Sequence, residues 1–101
     1  MTTRQVNWKS ILPAHASVCY ENPAFGDHKP WLYEDFLLVS FPNDEHVELQ
    51  WDDEVAKYSV SLTAQRWGSV LERRWCKTVE DAIAAVVELS WRTVPLNEVP
   101  A

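Results

Sequence analysis

The stretch from Tyr58 to Leu89 constrains this chain most. Tyr58, Val60 and Leu62 alternate with Ser59, Ser61 and Thr63, the two-residue period of a strand with one face in a core. A second candidate strand runs from Val70 to Cys76, and at Thr78-Val79-Glu80-Asp81 the apolar period changes to that of a helix. Strands followed directly by one amphipathic helix call for a sheet covered on one face. The pattern specifies an architecture and leaves the chemistry open.

Upstream strands complete the picture. Phe36 to Phe41 is apolar except for Ser40 and reads as a strand buried on both faces. Pro42 to Glu45 is a turn, after which Val47, Leu49 and Trp51 alternate with His46, Glu48 and Gln50. Asp52-Asp53-Glu54 makes the next turn. Such short connections require antiparallel neighbours. In Val70–Cys76, simple alternation puts Leu71 and Trp75 on one face with Arg73, and Val70 and Cys76 on the other with Glu72 and Arg74. Mixed faces of this kind suit an edge strand. Thr78 is a good N-cap, with Glu80 and Asp81 complementing the helix dipole. Val79, Ala82, Ile83, Val86 and Ser90 then recur at helical spacing, with Leu89 on the flank, and Pro95 ends the helix.

The expected fold is therefore α+β: a three- to four-stranded antiparallel β-meander over 35–76, with one C-terminal helix, 78–92 with its caps, packed on one face. A chain of 101 residues makes one domain with one core. The remainder is a loop-rich segment, 1–34, and a tail, 93–101. Within 1–34, Val6 to Leu12 suits one or two helical turns and Ala16 to Tyr20 a short strand. Glu21 to Pro30 carries Asn-Pro, Gly-Asp and Lys-Pro, which is turn chemistry, and reads as a surface loop leading to Trp31 and Tyr33.

The run Thr78-Val79-Glu80-Asp81-Ala82-Ile83 after a strand resembles the helix start of small sheet-plus-helix domains, among them antitoxins of the HicB type and double-stranded RNA-binding domains. It implies no more than a capped helix after a strand. Glu80 and Asp81 stand where an RNA-binding domain of that kind would carry lysines.

Composition excludes more than it selects. The net charge of −6 argues against a dominant polyanion-binding role, which needs clustered Lys and Arg. No motif specifies a metal, nucleotide or other cofactor, and none is expected. His15, His28 and His46 lack ligand spacing, and Cys19 and Cys76 read as small reduced side chains. Neither a leader nor a membrane span is legible, so a cytoplasmic location is expected. Asp27-His28 is the one adjacent pair that could orient an imidazole, too little to expect an enzyme.

Two charged tracts remain. Residues 44–54 hold six acids and no base, mostly at turns, where carboxylates are simply solvated; they could also steer a basic partner. Residues 64–77 hold four bases, Arg66, Arg73, Arg74 and Lys77, against one acid, with Trp67 and Trp75 interleaved. That Arg66–Lys77 strip could stack bases and hold phosphates, or solvate an edge above core tryptophans. Six tryptophans exceed what so small a core can enclose, and Trp beside Arg is a common interface anchor. The leading expectation is a small soluble, non-catalytic protein-protein interaction module of the immunity, antitoxin, chaperone or adaptor kind. It would dock a protein partner, a basic one included, or a second copy of itself. Trp8, Trp31, Tyr33, Trp67, Arg73, Arg74 and Trp91 are the candidate contact residues. Nucleic-acid binding through the basic-aromatic strip is the alternative.

Overall fold

The computed structural model describes residues 6–22, 25, 33–64 and 69–93. A short helix α1 (Trp8–Ile11) is followed by β1 (Ser17–Glu21), β2 (Tyr33–Ser40), β3 (His46–Asp52), β4 (Lys57–Ala64), β5 (Ser69–Cys76) and the helix α2 (Val79–Trp91). The strands form one sheet in the order β1-β2-β3-β4-β5, every pair antiparallel. The fold is α+β as expected, but the sheet has five strands rather than three to four. The extra one is β1, which matches the short strand expected over Ala16 to Tyr20 in the loop-rich segment but not counted in the meander. Its residues are mostly exposed, so it lacks the apolar alternation that marks its neighbours.

Register explains which side chains meet. Val47 and Leu49 of β3 stand opposite Leu62 and Val60 of β4, and Trp51 opposite Tyr58, all on the face that α2 covers. From α2, Ala82, Ala85, Val86, Leu89 and Ser90 are buried against β3, β4 and β5, a stripe at the helical period. Thr78 caps the helix, its Oγ1 accepting from the Asp81 amide at 3.1 Å.

Three irregularities in the ladder break simple alternation. In β2 the register shifts between Asp35 and Leu37, so the extra residue Phe36 is buried beside Leu37 and both are 1% exposed. That shift, rather than burial on both faces, makes the run look continuously apolar, for Leu38 and Ser40 are half-buried. A shift opposite Leu62/Thr63 pairs Val70 with Thr63 and Glu72 with Leu62. Val70 therefore joins the face of Arg73 and Trp75, not that of Cys76. The third shift lies at Cys19 in β1.

The first third of the chain completes the same core. Phe25, placed by its turn-rich surroundings in a surface loop, is only 4% exposed. Its ring centroid lies 6.1 Å from Trp8, 5.3 Å from Phe36 and 5.6 Å from Tyr58, with Trp51 5.1 Å beyond Tyr58. The far end of α2 is tied back to this segment. Trp91 Nε1 donates to the Ile11 carbonyl at 3.1 Å, and His15 Nε2 lies 3.0 Å from Thr93 Oγ1. Because the Thr93 hydroxyl donates to the Ser90 carbonyl at 2.7 Å, it accepts from His15, which fixes the proton on Nε2. Among the described residues no helix is long and apolar enough to cross a membrane.

Candidate functional site

The two faces of the sheet differ in kind. One carries the apolar core under α1 and α2; on the other, the described residues place no helix or strand. Register lays this open face out in three cross-strand rows. Asp35, Gln50, Ser59 and Trp75 form the first; Tyr20, Leu38, Glu48, Ser61 and Arg73 the second; Ser17, Ser40, His46, Thr63 and Val70 the third. β4 contributes only Ser59, Ser61 and Thr63 to the three rows, whereas β3 and β5 contribute long side chains. The result is a trough with a hydroxyl floor.

The floor is closed over. Ser59, Ser61 and Thr63 are 5%, 3% and 4% exposed. Across the ladder they stand between Gln50, Glu48 and His46 on β3 and Trp75, Arg73 and Val70 on β5. Thr63 Oγ1 is enclosed with no hydrogen-bond partner among the described residues. At the upper end the trough opens into a shallow cavity of about 150 Å³ between Asp35, Asp52, Arg73 and Trp75.

The two walls carry opposite chemistry. On the β3 side Gln50 Nε2 donates to Asp35 Oδ1 at 2.8 Å and reaches Glu48 Oε2 at 3.4 Å, so one amide serves two carboxylates. Burial, and then the charge of Asp35, push the Glu48 carboxyl above its ordinary range; Arg73 across the trough works against the rise. On the β5 side the Arg73 guanidinium carbon lies 5.7 Å from the Trp75 ring centroid, a cation–π contact. Trp75 is 45% exposed and Val70 53%. A wall of carboxylates thus faces a wall of cation and indole across the floor.

The residues singled out from sequence fall in different places. Arg73 and Trp75 reach this face. Arg74, one residue on, points to the α2 side, where Nη1 and Nη2 hold both oxygens of Glu88 at 2.6 and 2.8 Å and Nε holds Glu72 at 2.8 Å. Its charge is engaged inside the chain. Trp8, expected on the surface, is 4% exposed, because α1 turns it onto Phe25 and under the sheet. Trp91 is half exposed, yet its indole N–H is spent on Ile11. Tyr33 starts β2, where its backbone pairs with Asp52; Trp31, Arg66, Trp67 and the Asp27-His28 pair lie outside the described residues.

Sequence reasoning did not gather Asp35, Glu48, Gln50 and the β4 hydroxyls into one site. The available signal was the outward set of β4, which after Lys57 is all Ser and Thr, next to strands whose outward residues are long. Among the described residues, no three His, Cys, Asp or Glu side chains stand together as metal ligands. Both cysteines are free; Cys19 is exposed, and burial, followed by the charge of Asp81, pushes the Cys76 thiol up. No protein family, curated protein or solved structure matches the chain.

Proposed function

We propose that this is a small non-catalytic binding module that works by protein-protein contact through the open face of its sheet. One observation carries the reading: half-exposed Trp75, stacked with Arg73 and two rows from exposed Val70, stands over a face with no described element packed on it. Trp and Arg together are the residue pair that most often anchors an interface, because each gives up a large surface to a partner and keeps a polar handle. The carboxylate wall adds charge that orients an incoming surface. Trp31, Tyr33 and Trp67 remain candidate contact residues on their sequence alone. Two free thiols suit a reducing compartment, and we place the protein in the cytoplasm on that ground.

The alternative, nucleic-acid binding by the Arg66–Lys77 strip, has less behind it. Arg73 and Arg74 face opposite sides of β5, and Arg74 is neutralised by two carboxylates. The strip is basic in sequence but not one basic surface.

The test is site-specific photo-crosslinking in cells. A photoreactive amino acid replaces Val70 or Trp75 on the open face, or Val55 in the β3–β4 turn as a similarly exposed control. A discrete adduct from the first two positions and none from Val55 is expected. Equal labelling from all three, or none, removes the docking reading.

A further inference from the structure

We infer that the open face is the interface of a symmetric homodimer, in which two copies stack face to face about a two-fold axis running along β4, with Glu48 of each copy against Arg73 of the other. This names the partner of the docking reading above and rests on it.

The middle row supplies the reason. Glu48, Ser61 and Arg73 stand level on β3, β4 and β5, an acid and a base one strand to either side of a small residue. Within one chain the two charged residues are separated by the intervening strand, about 9.6 Å at the usual strand spacing, so their backbones hold them apart. A half-turn about an axis along β4, midway between two stacked sheets, carries the β3 side of one copy over the β5 side of the other and keeps each row level. Glu48 then meets Arg73 twice, once on each side of the axis. The same operation sets Gln50 over Trp75 from the first row.

The charge pattern also rejects the competing geometry. A two-fold axis perpendicular to the strands lays β3 over β3 and β5 over β5, so that Glu48 confronts Glu48 and Arg73 confronts Arg73. Like charges placed this way across an interface are strongly unfavourable, so of these two axes the one along β4 is self-complementary. A partner surface of one sign satisfies one wall of the trough and opposes the other, whereas a second copy satisfies both.

The axis along β4 superposes β3, β4 and β5 of the two copies, while β1 and β2 overhang. Three strands at about 4.8 Å spacing and eight residues of β4 at about 3.3 Å give a contact on the order of 400 Å² per copy. Two such faces bury about 800 Å², the size of a weak contact, and predict a dimer that forms only at high concentration and dissociates on dilution. The floor needs nothing from the partner to be dry, since Ser59 and Ser61 are already screened within each copy. The incoming guanidinium also adds to the positive charge that Glu48, crowded by Asp35, already meets from Arg73 across its own trough.

Sedimentation velocity on the full chain over a concentration series tests this. Wild type is expected to show a monomer–dimer equilibrium that salt weakens. Glu48→Arg makes both walls cationic and Arg73→Glu makes both acidic, so each variant alone is expected to lose dimer affinity by at least about tenfold. An equimolar mixture of the two variants is expected to restore the dimer as a heterodimer, because an all-cationic copy and an all-acidic copy re-form both pairs. That restoration cannot come from a misfolded variant. A wild-type chain that stays monomeric at millimolar concentration overturns the inference, as does a dimer that ignores both substitutions or a mixture that stays monomeric. The docking reading fails separately. If Val70 and Trp75 positions crosslink to a different protein while the chain is monomeric, the dimer falls and docking stands; if they crosslink to nothing, both fall.

Discussion

The Arg74 guanidinium holds both carboxylate oxygens of Glu88 while its Nε holds Glu72, and Arg92 closes the ring by reaching both of the same acids. Edge strand and helix are thereby fastened where the apolar core gives out, since the outer part of β5 offers α2 only Glu72 and Arg74. Arg74 is one-quarter exposed and paired bidentately, conditions under which a surface ion pair does contribute.

Replacing that guanidinium should therefore cost stability in a pH-dependent way. Hydrogen bonds from Arg74 hold the Glu72 and Glu88 carboxyls below the ordinary value of 4.5. A carboxyl depressed in the folded state stabilises the fold above its unfolded pKa, and that contribution is lost as pH falls through the folded value. Arg74→Met is expected to lower the melting midpoint by a few degrees at neutral pH and low salt. The gap to wild type should close as pH falls from 4.5 into the depressed range. Thermal melts of both proteins across that range measure it; a gap that is constant with pH means the ring contributes no ion-pair stability.

Ala56, in the β3–β4 turn, has φ 53°, in the left-handed region where a Cβ is disfavoured. The conformation costs a non-glycine residue about 1–2 kcal/mol, and glycine gives back roughly 0.4–1 kcal/mol through its freer unfolded chain. Ala56→Gly should gain on the order of 0.5–1 kcal/mol in urea unfolding with an unchanged m-value. Loss of stability would mean that the turn is not held at positive φ. Asp44, at φ 65° in the preceding hairpin, is a residue type that tolerates this region, so the same substitution there should gain less.

Glu48 has the opposite sign from the clamp acids. Burial and Asp35 raise its carboxyl above 4.5 in the folded state, so the ionised form destabilises the fold. That cost is fully present above the folded pKa and vanishes below the unfolded one. At concentrations where the chain is monomeric, Glu48→Gln should stabilise at pH 7 by up to about 0.5 kcal/mol, the range of a partly exposed substitution. Below pH 4.5 the benefit should disappear. Denaturation at the two pH values separates this from a general gain, which would be equal at both.

How much of this was legible from residues alone follows from what each element does. β3, β4 and α2 bury one face each, so their periods show in sequence, and Thr78 signals its own cap. β1 pairs on one side only and buries little, so Ala16 to Tyr20 read as a short strand without a period that would join it to the meander. Phe25 sits among turn residues yet fills the core, because a loop can deliver one aromatic without any repeat. The open face was hidden for a different reason. Its rows are set by three ladder shifts, at Cys19, Phe36 and Leu71, and a shift of one residue moves a side chain to the other face without any mark in composition. Sequence gave Arg73 and Arg74 equal standing; their opposite fates follow from alternation along β5.

Trp91 offers the last test, because it separates an indole that holds the fold from one that is free to dock. Its ring is 50% exposed, close to the 45% of Trp75, and exposure alone assigns both to a surface. Yet Trp91 Nε1 donates to the carbonyl of Ile11 across 80 positions of sequence, fastening α1 to the end of α2. α1 is a single turn with no side-chain cap on Asn7, too short to persist on helical propensity. It depends on Trp8 burial below and on this bond at its end. Trp91→Phe keeps the ring and removes the donor, and should cost about 0.5–1.5 kcal/mol, the net worth of one hydrogen bond. The loss should be local: amide exchange should accelerate at Leu12, whose N–H closes the α1 turn onto Trp8, and not in β3 or β4. Trp75→Phe should leave that amide unchanged. Equal acceleration from both variants, or none from Trp91→Phe, would show that α1 is held by its core contacts alone.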